Sequence, residues 1–486
     1  MKPPHASSAA LVTAILAGCA VGPDYERPKV TSPASHRFHA GPETAASLSD
    51  LPWWTVFSDA PLQALVGEAL RNNYDLIAAT ARVDAARAQA RAAGAQLLPG
   101  IQGNATGSYG NSLGGFGAAP KPFWSVSGSG TASWELDVFG RLRRGAEAAR
   151  AQYMASEEAR RGVWLTVLAE VAQSYFNLLG FDLQRVIAQR TVAARASTVA
   201  FFRVRAEGGV GTDLDVARGE ADLFGAQSTL ASIEQQISLG ENTIALLLGR
   251  PPGPIARSTV GEEQASPPEV PSGLPSALLE RRPDVREAEA NLMAANAQVG
   301  IATANLFPTF SLTGQGGVVS TNLALVGAAN TTPQSFYSVG PQINWTAPVL
   351  QGAALRHQLE AAKQMWRAAR AAYLEAIVQA FKDVADALAT LTRLREQRAA
   401  SGQQVSALRR AVEGARTQFE GGTATYLDVI SAQELLFAAE LNFAQIQAEQ
   451  LAAYVQLYRV LGGGWWLHEP AQGGSVAPQA LAKKSR

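Results

Sequence analysis

The sequence has a single cysteine, few histidines and little charge, and each shortage excludes a class of protein. One cysteine among 486 residues excludes a disulfide within the chain. Five histidines, none in an HExxH or paired-ligand spacing, give no metal-dependent catalytic site. Lys+Arg and Asp+Glu both number 41, so the basic face that nucleic acid requires is missing. We therefore expect a protein that is not an enzyme, has no metal or other cofactor, and binds no nucleic acid.

Long apolar runs are also missing, and the one short run lies at the N-terminus. No segment has the ~20 unbroken apolar residues of a transmembrane helix. The run over residues 9–17 ends in Leu16-Ala17-Gly18-Cys19, which is typical of a signal peptide. This ending resembles the lipobox of bacterial lipoproteins, which implies cleavage before Cys19 and a covalent lipid on it. Ala20 at the next position implies the outer membrane, and an ordinary signal peptide is the alternative.

The remaining sequence is duplicated. GGVGTDLDV at residues 208–216 returns as GGTATYLDV at 421–429, 213 positions later. Asn73-Tyr74-Asp75-Leu76 is matched by Arg282-Pro283-Asp284-Val285, and Trp134 by Trp345. We infer a tandem repeat. The predicted division is a signal peptide (1–18), an extended lipidated segment (19–59), repeat 1 (60–250), a proline-rich linker (251–274), repeat 2 (275–466) and a flexible tail (467–486).

Each repeat contains two segments that alternate between apolar and polar residues, which predicts strands at about 100–112, 122–139, 308–320 and 334–347. One face of the predicted sheet carries Trp124, Val126, Trp134, Ile343 and Trp345, and the other carries Ser127, Thr131 and Asn344. A soluble sandwich needs about seven strands. In a bilayer, four strands would leave open edges. Closure would take two copies, giving a nearly filled eight-stranded barrel, or three, giving twelve strands and a lumen.

Long helices follow the strands. A first helix at about 60–97 opens repeat 1, and the stretches 142–207 and 353–419 contain no proline, so each could extend ~95–100 Å. The helices predicted at 213–248 and 425–461 carry apolar residues at heptad spacing. Between outgoing and returning helix, the pairs Gly208-Gly209 and Gly421-Gly422 predict the chain reversals. Thr212 or Asp213, and Thr425, are the candidate N-caps.

A series of short motifs follows in order along residues 19–466: Cys19–Tyr25 with Pro28, Trp53-Trp54 with Phe57, Ala69–Asn73 through Arg82, Trp134–Arg143, Arg281–Arg286, Tyr426–Val429 and Leu461–Trp465. In the order and spacing of these motifs, the chain resembles the TolC-like outer membrane factors, specifically the NodT-type efflux lipoproteins. The resemblance implies an α+β membrane protein. Three copies would form a 12-stranded transmembrane β-barrel and a periplasmic α-helical tunnel in the outer membrane of a Gram-negative bacterium.

The implied function is passive conduction of drugs or other small toxic compounds, delivered by an inner-membrane pump through a periplasmic adaptor. The hairpin tips would close the tunnel. The family prototype locks its second tip with a tyrosine, an arginine and acidic residues. Phe419 and Ala424 stand at the tyrosine and arginine positions, so that network is excluded. The alternative function is a lipid-anchored periplasmic coiled-coil scaffold without a pore.

The candidate constriction residues are Asp213, Asp215, Glu420, Tyr426 and Asp428. Three copies of each acid would surround one axis. Asp213 suits a helix cap better than Asp215 or Asp428, which lie inside the returning helices. We therefore expect Asp215 and Asp428 to face the lumen and favour cations.

Overall fold

The two halves of the chain fold into the same succession of elements. A computed structural model describes residues 20–31, 59–112, 121–258, 278–321, 333–344 and 352–463. Repeat 1 contains α1 (Ala60–Asn72), α2 (Tyr74–Ala95), β1 (Gly100–Ser112), β2 (Lys121–Leu136), α3 (Arg141–Glu207) and α4 (Asp213–Leu247). Repeat 2 contains α5 (Leu278–Arg281), α6 (Pro283–Ala304), β3 (Thr309–Thr321), β4 (Gln334–Asn344), α7 (Gly352–Glu420) and α8 (Tyr426–Val460). The outgoing helices α3 and α7 have 67 and 69 residues, and the returning helices have 35 each.

The first predicted helix is wrong in one respect, because Asn73 divides it. The backbone N–H of Asn73 still donates to Ala69 O (2.9 Å). Its side-chain Oδ1 then accepts from the backbone N–H groups of Asp75 (2.9 Å) and Leu76 (3.1 Å). An asparagine that binds the first free N–H groups in this way starts a new helix. The second helix α2 ends at Ala95, ahead of the predicted end at residue 97.

The chain forms two compact units. The first comprises residues 1–29, 82–157 and 287–374 and contains the sheet, whose order is β1-β2-β3-β4 with every pair antiparallel. The second comprises residues 30–81, 158–286 and 375–486. The hairpin turns of both repeats belong to this second unit. Among the described residues, no helix is long and apolar enough to cross a membrane.

The strand register places most of the apolar side chains of the four strands on one face of the sheet. Tyr109 lies opposite Trp124, and Ile101 lies opposite Ala132. Trp134 lies opposite Leu312, and Phe310 opposite Ile343. Since alternate residues share a face, this face collects Ile101, Tyr109, Trp124, Val126, Trp134, Leu136, Phe310, Leu312, Val318, Tyr337, Val339 and Ile343.

The other face of the sheet is mostly polar, although Phe123, Val319 and Phe336 also lie on it. Its residues include Gln102, Asn104, Thr106, Ser127, Ser129, Thr131, Thr313, Gln315 and Asn344. The hydroxyls of Thr106 and Ser127, on neighbouring strands, are hydrogen-bonded at 2.7 Å. Trp345, predicted for the apolar face, lies outside the described residues. A sheet with one apolar and one polar face separates two environments along its whole width.

Still within the first unit, residues 20–29 near the N-terminus pack against α6 and the start of α3. A Cβ built on Gly22, where φ is +99°, would lie 2.6 Å from the Cα of Gly300, so only glycine allows this approach. Asp24 pairs with the buried Arg144 (2.7 Å). Arg27 pairs with Glu289 (2.6 Å). The residues directly after Cys19 are therefore fixed, whereas Cys19 itself lies outside the described residues.

In the second unit, the core is formed along the long helices and closed by α1. The main buried residues are Leu62, Leu65, Leu168, Val171, Tyr175, Leu178, Ile233, Ile237, Ile244, Val455 and Tyr458. The Tyr175 hydroxyl donates to Asp59 and accepts from the backbone N–H of Ser258 (3.1 Å). Burial raises the pKa of Tyr175 to about 12. These two bonds attach the segments before α1 and after α4 to the middle of α3.

Candidate functional site: the hairpin tips

The chain reverses at tip 1 (residues 208–212) and at tip 2 (residues 421–425), and the two tips have the same backbone conformation. At tip 1 the N–H of Gly209 donates to Ala206 O and that of Val210 to Arg205 O, both at 3.0 Å. At tip 2 the equivalent bonds join Gly422 to Phe419 and Thr423 to Gln418. This pair of bonds is a Schellman motif, which requires a left-handed residue. Gly209 (φ +72°) and Gly422 (φ +74°) supply it.

Both returning helices begin with a threonine N-cap whose backbone N–H and hydroxyl donate to the aspartate three residues later. The hydroxyl of Thr212 accepts from Asp215 N (3.2 Å), and the Asp215 carboxylate accepts from Thr212 N (3.3 Å) and from its hydroxyl (2.7 Å). At tip 2 the Asp428 carboxylate accepts from Thr425 N (2.9 Å) and Thr425 Oγ1 (2.8 Å). These bonds hold the pKa of Asp428 below its ordinary value. Each aspartate thus neutralises free N–H groups at a helix start.

This geometry corrects one interpretation of the sequence. Of the two candidate N-caps of α4, Thr212 is the N-cap, and Asp213, the aspartate that suits a cap by sequence, is instead the exposed first residue of the helix. Asp215 and Asp428 complete the cap instead. Asp215 is half-buried and Asp428 exposed, so the capping role leaves the orientation of Asp428 toward a lumen as a prediction.

Tyr426 joins the two hairpins through aromatic contacts. Its ring meets the ring of Phe202 on α3 edge-on, with centroids 4.2 Å apart and planes at 76°. It also meets Phe419 on α7 at 5.3 Å and 64°. Phe202 is 3 % exposed, and burial raises the pKa of Tyr426. The edge-to-face arrangement is the one that aromatic quadrupoles favour. Tyr426 therefore ties tip 2 to the outgoing helix of repeat 1, a partner that the sequence did not indicate.

Ion pairs lie behind this aromatic contact. Arg195 on α3 pairs with Asp222 on α4 at 2.8 Å, with both side chains less than one-tenth exposed. Its guanidinium also stacks over the ring of Phe437 at 5.3 Å. Burial raises the pKa of Asp222, and the charge of Arg195 opposes that shift. A buried guanidinium that touches three helices holds them at a defined spacing.

A second charged group spans α3, α8 and α7. Glu440 on α8 is buried, and its carboxylate accepts from Arg190 of α3 (2.6 Å) and from Arg409 of α7 (2.8 Å). The sequence does not indicate this bridge, because Arg190 and Arg409 lie 250 and 31 residues from Glu440 along the chain. At the tip itself, Glu420 is exposed and pairs with Arg416 (2.9 Å). In the described ranges, no three His, Cys, Asp or Glu side chains gather as a metal site.

A family model described as outer membrane efflux protein matches residues 65–250 and 274–463, which are the two repeats. The chain belongs to the outer membrane efflux protein family. Channels of this family are trimers in tripartite efflux systems, together with an adaptor and a pump. The TolC-like resemblance is thereby confirmed, as are the tandem-repeat fold, the efflux function and the outer membrane of a Gram-negative bacterium.

Individual members of the outer membrane efflux protein family match over nearly their whole length. The cation efflux system protein CusC of Escherichia coli is 33% identical over 93% of this chain and 97% of its own. The outer membrane protein OprJ of Pseudomonas aeruginosa is 33% identical over 96% and 97%. The solved open state of the Neisseria gonorrhoeae MtrE outer membrane channel superposes with a TM-score of 0.76 at 29% identity, over 92% of this chain and 98% of that one.

Proposed function

We propose that three copies of this chain form the outer membrane channel of a tripartite efflux system and passively conduct drugs or other small toxic compounds. The observation that supports this most directly is the shared apolar face of β1–β4. In the described chain β1 pairs only with β2, and β4 only with β3, so the sheet has two open edges. Open edges cannot face lipid, because their backbone groups would lose hydrogen bonds. Three copies joined edge to edge make a closed barrel of twelve strands.

In this assembly the apolar face contacts lipid and the polar face lines the lumen. Trp124, Val126, Trp134 and Ile343 then lie against lipid, and Ser127, Thr131 and Asn344 against water. The α3–α4 and α7–α8 hairpins of three copies continue the lumen as a tunnel. The hairpin tips close and dilate this tunnel, which meets an inner-membrane pump through a periplasmic adaptor. A lipid on Cys19 adds an anchor to the barrel, and detection of an acylated Cys19 by mass spectrometry tests that part separately.

The tips supply the constriction of the proposed tunnel. Asp213, Asp215 and Asp428 each recur three times around the axis, which favours cations at this point of the pathway. Tyr426 holds the second tip to the outgoing helix α3 of the first hairpin within each chain. We expect the double variant Asp215→Ala, Asp428→Ala to reduce cation preference and weaken block by multivalent cations in single-channel recordings. If the variant forms an intact trimer with unchanged selectivity, the two aspartates cap helices and do not contribute to ion selectivity.

The proposed function is tested by recording the purified, detergent-solubilised protein in planar bilayers, alongside native mass spectrometry of its oligomeric state. A conducting trimer is the expected result. A water-soluble, non-conducting protein after removal of the lipid would instead support a periplasmic scaffold. Val126→Arg and Ser127→Arg test the sheet faces as a matched pair. Arginine on the lipid face is expected to cost ~2–4 kcal/mol at mid-strand and much less on the lumen face. Equal losses in both variants would contradict the assignment.

A further inference from the structure

The segment that follows α4 folds back onto the α3–α4 hairpin through one arginine. Arg257 lies between Asp182 of α3 and Glu241 of α4 and pairs with both carboxylates. Its Nη2 donates to Asp182 Oδ1 at 3.2 Å, and its Nη1 donates to Glu241 Oε1 at 2.5 Å. Two residues earlier, Ile255 is buried in the core of the second unit. An apolar residue and a cation thus fasten this segment to an acidic site.

The positions in repeat 2 that correspond to this acidic site do not carry negative charge. In the 213-residue register that relates the two tips, Asp182 corresponds to Arg395 and Glu241 to Tyr454. The guanidinium of Arg395 donates to the Tyr454 hydroxyl through Nε (3.2 Å) and Nη2 (2.8 Å). Tyr454 is buried, so these bonds fix the guanidinium between α7 and α8. The same place is therefore acidic in repeat 1 and basic in repeat 2.

The groove between α7 and α8 beside Arg395 is basic along its length. It has a volume of about 1080 Å³, and three of its lining residues are arginines, Arg395, Arg398 and Arg410. Among the described residues that line it, none is acidic. Arg398 is positioned by the buried Gln450, whose Oε1 accepts from its Nη1 at 3.0 Å. Such a groove fits a carboxylate, because guanidinium and carboxylate groups form charge-assisted hydrogen bonds.

The chain leaves both returning helices through the same turn. Each helix ends in a Schellman motif whose left-handed residue is a glycine, Gly249 after α4 (φ +68°) and Gly462 after α8 (φ +81°). Beyond this turn, Ile255-Ala256-Arg257 is matched by Leu467-His468-Glu469, one residue nearer the helix. The pattern of an apolar residue followed two positions later by a charge is the same, but the charge is negative. Glu469 is also the only acidic residue after α8.

We propose that the segment after α8 folds back into the groove between α7 and α8, with the carboxylate of Glu469 paired with Arg395 and with Leu467 packed as Ile255 is in repeat 1. Both residues of this segment lie outside the described ranges. The occupant is the chain's own segment because its single carboxylate complements the arginines at the place where repeat 1 binds its own following segment. The two repeats then use one attachment with the charges exchanged.

The segment is long enough for this attachment. Tyr454 lies six residues before the end of α8 at Val460, which is ~9 Å of helix. The six residues from Gly463 to Glu469 span up to ~20 Å when extended. The inference goes beyond the proposed function, since it holds whether or not the chain conducts. It also moves the start of the predicted flexible tail from residue 467 to beyond Glu469.

Amide hydrogen exchange of residues 464–469, measured by mass spectrometry on the full-length protein, tests the pairing. We expect protection in the unaltered protein and roughly tenfold faster exchange in Glu469→Gln and in Arg395→Gln, because each removes a charge-assisted hydrogen bond. The double variant Arg395→Glu, Glu469→Arg copies the polarity of repeat 1 and should restore protection. Arg393→Gln and Glu449→Gln remove exposed charges from the same two helices and should leave this exchange unchanged.

Three results would overturn the inference. The first is an unprotected segment in the unaltered protein, and the second is unchanged exchange in Glu469→Gln. The third is faster exchange in Arg395→Gln that the charge-exchanged variant fails to restore, because the effect would then come from α7–α8 packing. The proposed function fails separately. A conducting trimer with an unprotected segment contradicts the attachment alone, whereas a non-conducting monomer with a protected segment contradicts the channel alone.

Discussion

Tip 1 and tip 2 share a backbone but differ in what they touch. Both reverse through a Schellman motif with a left-handed glycine, and both restart with a threonine capped by an aspartate three residues later. Tip 2 adds Phe419 and Tyr426, whereas the matching positions in tip 1 are Ala206 and Asp213. The turn is specified by its local sequence, and both copies of the repeat retain it. The side chains around the turn depend on which helices pack beside it. Of the two described tips, only tip 2 is followed by an aromatic ring, that of Tyr426, which contacts the other hairpin.

The largest expected difference between the tips comes from removing Tyr426. Tyr426→Ala deletes two edge-to-face ring contacts, worth ~0.5–1.5 kcal/mol each beyond the buried area. We expect faster amide hydrogen exchange at tip 2 and at the Phe202 turn of α3, by ~1–3 kcal/mol in local opening free energy. The matched variant Asp213→Ala at tip 1 should leave exchange at tip 2 unchanged. Tyr426→Phe, which keeps the ring, should behave as the unaltered protein.

Substitution of the left-handed glycines is expected to give a smaller loss of local stability, equal at both tips. Gly209→Ala and Gly422→Ala place a side chain at positive φ, which costs ~1–2 kcal/mol. Gly208→Ala and Gly421→Ala are the controls, because neither residue has positive φ in the described turns. Local exchange at each altered tip is the measurement. A marked inequality between Gly209→Ala and Gly422→Ala would show that tip surroundings, and not only the turn, set its stability.

Removing the threonine caps should lower the local stability of the helix starts by about as much as the glycine substitutions, or slightly less. Thr212→Ala and Thr425→Ala remove the capping hydroxyl, a change that typically costs ~1 kcal/mol. Exchange of the first-turn amides of α4 and α8 measures it. Thr→Ser at either position retains the hydroxyl and is the matched control. If serine and alanine variants exchange equally fast, the hydroxyl contributes nothing.

The smallest effect concerns pH at tip 2. Hydrogen bonds from Thr425 lower the pKa of Asp428 below its usual 3.8. A depressed pKa in the folded state stabilises the fold above the unfolded pKa, and this contribution is lost as pH falls through the folded pKa. We therefore expect weaker protection at the start of α8 only below about pH 3.8. Asp428→Asn should remove this dependence, and an unchanged profile in that variant would assign the titration to another group.

The elements that follow from local chemistry could be predicted from the sequence. Alternation along residues 122–139 indicated β2, absence of proline indicated α3 and α7, and paired glycines indicated both reversals. Asn73 was missed because it caps one helix inside a stretch that reads as helical throughout. The contacts of Tyr426 and Glu440 depend on which helices become neighbours. A repeat identifies equivalent positions, but it does not say which of them touch, so Phe202 and Arg190 required the structure.

The approach of Gly22 to Gly300 has a consequence for biogenesis. Gly22 lies near the N-terminus, which is synthesised first, whereas Gly300 belongs to α6 of the second repeat. The N-terminal segment can pack in this way only after more than half of the chain has been synthesised and α6 has folded. The end of the polypeptide that is synthesised first is therefore fixed late.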